Sequence, residues 1–110
     1  MYYSALLLYK AVVEETRDEP VYEERLLLIE ASDEKEALDK AQRLAKDDHV
    51  SYLNVYSKTV TWVPMQVLGV CEIMDSLTSG TELHSRFFKN LENYQQIEPR
   101  AGKQFEDTNN

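Results

Sequence analysis

Residues Tyr2 to Val13 contain no glycine or proline and are dominated by Tyr, Leu, Ala and Val. Such a run predicts a strand. Its odd positions carry Tyr3, Ala5, Leu7, Tyr9, Ala11 and Val13; its even positions carry Tyr2, Ser4, Leu6, Leu8, Lys10 and Val12. Both faces are apolar in the middle, so something must cover both. The polar stretch 14–20, ending in Pro20, reads as a hairpin loop. Residues 21–31 form a second strand, apolar on both faces from Leu26 to Ile29. A hairpin is the simplest link between the two.

The period then changes from two to about 3.6. Ser32 and Asp33 are N-cap residues, and Glu36 follows Asp33 by three. Acidic Asp33, Glu34 and Glu36 suit the positive end of a helix. Ala37, Leu38, Ala41, Leu44 and Ala45 fall in one narrow stripe at helical spacing. Glu36–Lys40 and Asp39–Arg43 are favourable i,i+4 pairs. The helix should run to about residue 48, with His49 just past its end.

Residues 51–56 predict a short strand and 59–75 a long one. In the long strand, alternation puts Val63, Met65, Val67, Cys71 and Ile73 on one face. Trp62, Gln66, Leu68, Val70, Glu72 and Met74 fall on the other. Pro64 cannot donate to a ladder and Gly69 weakens packing, so a bulge is expected at one of them. Thr78-Ser79-Gly80 predicts a tight turn with Gly80 left-handed. Residues 81–88 then return as a last strand, with Glu72 opposite Arg86, Met74 opposite His84 and Cys71 opposite Phe87. A short helix is expected over 89–96 and a disordered tail over 98–110.

The expected fold is therefore α+β: an antiparallel sheet of four to five strands in the order β-β-α-β-β-β. One main helix covers one face, and a short C-terminal helix follows. The domain spans residues 1–90, with 91–110 a short helical or disordered acidic tail. A helix of about 15 residues is about 22 Å long and covers one face of a few strands. The second face, with Leu6 and Leu8, would then stay wet, and soluble monomers rarely tolerate such a patch. A homo-oligomer, most simply a dimer, is the expected remedy.

Composition narrows the partners. The chain of 110 residues carries 12 basic and 20 acidic side chains, a net charge of −8. That opposes binding to nucleic acid, which needs clustered Lys and Arg. No apolar run approaches the roughly 20 residues of a membrane span. Met1-Tyr2-Tyr3 lacks a basic leader region. The single cysteine, Cys71, excludes an internal disulfide and fits a reducing cytoplasm. Residues 14–25 are strongly acidic, so a basic protein is a candidate partner for that loop.

The search for catalytic chemistry is mostly negative. Gly69, Gly80 and Gly102 are too dispersed for a phosphate loop. No His or Cys pair has metal spacing, and Asp47, Asp48 and His49 are too close in sequence to converge on one ion. Cys71 and His84 invite a nucleophile–base reading, but the expected register puts them on opposite faces. Glu14-Glu15 and Glu23-Glu24 are adjacent, so each pair points to two faces. No catalytic residue, metal or cofactor is expected. The aromatic set Tyr52, Tyr56 and Trp62, with Asn54, can line a pocket in which Arg86 takes an anionic group; core packing is the plainer use of those rings.

The order of several short motifs adds to this reading. They are Tyr2-Tyr3-Ser4-Ala5, Tyr22-Glu23-Glu24-Arg25, Glu36-Ala37, Lys40-Ala41, Ser51-Tyr52, Asn54, Val55-Tyr56, Val60, Trp62, Gly80-Thr81-Glu82 and Ser85-Arg86-Phe87. Over roughly residues 2–88 they resemble domain-of-unknown-function family 4288, a family of small bacterial, often cyanobacterial, proteins. The resemblance implies a bacterial cytoplasmic protein and supplies no activity. Members tend to have a glycine after the tyrosine where this chain has Ser57. The expected function is a non-catalytic, self-associating interaction or adaptor module. The alternative is a small-ligand binder or enzyme with a pocket near Tyr56, Trp62 and Arg86. A nucleic-acid mimic is disfavoured because the acids form no regular row.

Overall fold

A computed structural model of the chain describes residues 1–48 and 50–102. The expectations for His49 and for the tail beyond Gly102 lie outside them. The elements run β1 (Tyr2–Val13), β2 (Tyr22–Glu30), α1 (Glu34–Asp47), β3 (Val50–Leu53), β4 (Thr59–Ile73) and α2 (Leu91–Ile97). The four strands form one antiparallel sheet in the order β2-β1-β4-β3.

The β1–β2 hairpin is regular: Tyr3 lies opposite Ile29, Leu7 opposite Arg25 and Tyr9 opposite Glu23, with no slip over nine pairs. The β1–β4 ladder slips twice, between Leu6 and Leu7 and between Leu8 and Tyr9. Each slip leaves one extra residue in β4, Leu68 beside Gly69 and Met65 beside Pro64, so both expected disruptors produce a bulge. The bulges also change the facing of β4. Trp62, Pro64, Val67, Val70 and Glu72 share a face with the odd residues of β1, while Val63, Gln66, Gly69, Cys71 and Ile73 share the other. Strict alternation had put Val67 with Cys71; one inserted residue on each side of Val67 reverses it.

Helix α1 covers the odd face and packs on β1, β2 and β4. Its centre line is alanine: Ala37, Ala41 and Ala45 are buried against Tyr3, Ala5, Leu7 and Tyr9. At 100° per residue, Leu38 and Leu44 flank that line. Leu38 is half-buried and Leu44 is exposed, so the stripe is narrower than its apolar residues suggest. Asp33 caps the helix, accepting from the Glu36 amide at 2.8 Å, while the Glu36 carboxylate accepts from the Ser32 amide and hydroxyl. Those bonds hold the Glu36 carboxyl below its usual range. Lys40 donates to the Glu30 carbonyl at 2.7 Å, tying the helix to the end of β2.

Residues 81–88 are not a fifth strand. A turn at 75–80, with Gly80 at φ 96°, redirects the chain, and Thr81 Oγ1 closes it on the Ser76 carbonyl at 2.5 Å. The chain then crosses the even face of the sheet. Beyond Trp62, the outer side of β4 therefore has no strand beside it among the described residues. Residues 98–102 continue α2 as turns, with the Ala101 amide donating to the Glu98 carbonyl at 2.9 Å.

Candidate interaction surface

The even face is built from Ser4, Leu6 and Leu8 of β1, Leu26 and Leu28 of β2, and Gly69, Cys71 and Ile73 of β4. The C-terminal segment supplies part of its cover. His84, Arg86, Phe88 and Tyr94 line a cavity of about 270 Å³ with Leu6 and Glu24. The rings of Phe88 and Tyr94 stack with centroids 4.6 Å apart. Arg86 Nη1 lies 3.8 Å from the Glu24 carboxylate. Arg86 thus meets Glu24 rather than Glu72, because the expected last strand is absent. Phe87, expected opposite Cys71, is 98% exposed.

The cover is incomplete. Leu26 is 44% and Leu28 55% exposed on the even face. Leu83, Phe88 and Leu91 in the covering segment are also exposed. Beneath it, Ser4 Oγ and His84 Nε2 are buried without a protein hydrogen-bond partner. His84 lies on the same side of the sheet as Cys71, contrary to expectation, since the segment passes over that side instead of pairing beside β4. Among the described residues no hydrogen bond joins the two; the Cys71 thiol donates to the Glu72 carbonyl at 3.7 Å.

The five candidate binding residues fall in three places. Trp62 Nε1 donates to the Tyr52 hydroxyl at 3.3 Å on the helix-covered face of the β3–β4 hairpin. Asn54 forms the turn of that hairpin: its Oδ1 accepts from the amides of Tyr56 at 2.9 Å and Lys58 at 3.1 Å. This local pattern is how Asn makes turns. The turn carries Ser57 at φ 58°, the left-handed conformation that glycine adopts freely. Tyr56 is 79% exposed. Asn54 and Tyr56 share a cleft of about 540 Å³ with the acidic β1–β2 loop, bridged by the Lys58–Glu15 ion pair. Arg86 stands on the opposite face of the sheet, with Glu24.

One polar cluster was not singled out in the sequence. The Arg25 guanidinium lies 3.9 Å from the centre of the buried Tyr9 ring and donates to Asp48 at 2.8 Å and to Glu23. The Tyr9 hydroxyl reaches the same Asp48 carboxylate at 3.4 Å. Burial, then the Asp48 charge, pushes the Tyr9 phenol up. The hydrogen bond that Arg25 donates to the Glu23 carboxylate does the same for the guanidinium. The cluster ties the C-terminal end of α1 to the sheet. Its one sequence signal was that hairpin pairing sets Tyr9 opposite Glu23, two residues from Arg25; Asp48 comes from a different element. Among the described residues, no three His, Cys, Asp or Glu side chains are grouped to hold a metal ion, and no helix is long and apolar enough to cross a membrane.

These features define a small α+β domain with one helix-covered sheet face and one partly covered face. The chain belongs to the family described as Domain of unknown function (DUF4288), which matches residues 2–85, from β1 into the covering segment. Neither a curated protein nor a solved structure matches it.

Proposed function

We propose that the protein is a non-catalytic interaction module that associates with a second copy of itself through contacts that include the exposed leucines at the border of the partly covered face. The carrying observation is the exposure of Leu26 and Leu28 on a strand whose neighbours are apolar. Burying apolar surface at about 25 cal/mol per Å² then drives the association.

Sedimentation equilibrium at micromolar concentration tests this reading. The expected mass is twice 12.8 kDa. Leu28→Glu should return the mass to that of one chain, because it buries an unpaired carboxylate in the contact. A wild-type monomer at these concentrations rejects the reading.

A further inference from the structure

We infer that the second copy adds at the outer edge of β2, so that two four-stranded sheets join into one of eight strands across a two-fold axis. This rests on the self-association proposed above and identifies its surface. Among the described residues the sheet has two long unpaired edges, and they differ. The outer edge of β4 beyond Trp62 contains Pro64 and the bulges at Met65 and Leu68. Proline and bulges are the devices by which sheets prevent edge pairing. The outer edge of β2 has none of them. Its nine residues pair with β1 without a slip and contain no proline, glycine or lysine. Its middle, Leu26 to Ile29, is wholly apolar. Such an edge is a template for another strand.

β2 is also self-complementary. A two-fold axis perpendicular to the sheet makes β2 antiparallel to its copy and keeps both helices on one side. With the axis at Leu27, Leu26 faces the partner's Leu28 and Leu28 faces the partner's Leu26. The exposed leucines of both chains then merge into one apolar strip. The register is unfavourable only at its ends, where Glu24, which already faces Arg86 in its own chain, comes opposite the partner's Glu30 and the like charges repel. The covering segments, each beside its own Glu24, flank the leucine strip.

Disulfide trapping tests the register. Leu26→Cys and Leu28→Cys are each placed in the Cys71→Ser chain and oxidised, separately and as an equal mixture. Directly opposed positions have Cβ atoms about 4.5–5.5 Å apart, and diagonal ones about 7–8 Å. A disulfide needs about 3.5–4.5 Å. The mixed 26–28 dimer should therefore form severalfold faster than either like-with-like dimer. Both substitutions are at exposed positions, and circular dichroism of each variant checks the fold. A wild-type dimer by sedimentation without preference for any one of the three products overturns the edge pairing, a like-with-like preference overturns the axis at Leu27, and both leave self-association standing. A wild-type monomer overturns both.

Discussion

The two faces of the sheet start from similar strands and end differently. On the odd face of β1, Tyr3, Ala5, Leu7 and Tyr9 are sealed by a helix whose contact line is three alanines. Small residues let the helix backbone approach the strands closely, so the seal is tight. On the even face the cover is an irregular segment that leaves Leu26 and Leu28 in water. Apolar content alone therefore does not make a core. What decides is whether the chain supplies an element of matching shape, and here it supplies one.

The largest expected effect probes that asymmetry directly. Leu7→Ala should lower unfolding free energy by about 3–4 kcal/mol, since Leu7 is fully buried and its removal leaves a cavity. Leu28→Ala, measured by urea unfolding of dilute protein, should change it by less than about 0.5 kcal/mol. Equal losses at the two sites would abolish the distinction between the faces. Next in size is Ala41→Leu, which overfills the helix–sheet contact and should cost about 1–3 kcal/mol. A neutral result would mean that α1 does not sit tightly on β1. Arg25→Ala removes the stacking on Tyr9 and the tie to Asp48, for about 1 kcal/mol of thermal stability.

The smallest effect concerns pH. The Glu36 carboxyl is held low chiefly by the Ser32 hydroxyl and amide. A depressed carboxylate stabilises the fold above its ordinary range, and that stability is lost as pH falls through the folded value. The melting temperature of Glu36→Gln should therefore lie below wild type at pH 7 and converge on it in acid. A gap unchanged down to pH 2 would contradict the capping role.

Local patterns were the legible part of this fold. The bounds of β1, the capped helix, the hairpin and the left-handed Gly80 all follow from periodicity and turn chemistry within short windows. Three features did not. The facing of Val67 depends on two bulges acting in sequence, whereas proline and glycine announce only that a disruption exists. Residues 81–88 have a strand's composition, yet the turn before them carries the chain over the even face, a choice made by three-dimensional packing. Arg86 was misplaced for the same reason, which separated it from Trp62. Tyr52 and Trp62 do meet, because both lie on one hairpin. Asn54 belongs to the turn, and Ser57 takes the strained position that glycine would relieve.

The paired bulges of β4 make its inward and outward assignments behave like a reading frame. Met65 shifts the frame for three residues and Leu68 shifts it back, so both ends of the strand keep the same parity. Deleting Met65, Leu68 or both would take out only the unpaired residues and leave Trp62, Pro64, Val67 and Val70 on the face they hold now. Flattening one bulge with its extra residue still in the chain would instead slip the register by one and turn a whole arm of the strand inside out, placing Trp62 or Val70 in water. The strand thus tolerates the loss of a letter at these two places and nowhere between its neighbours.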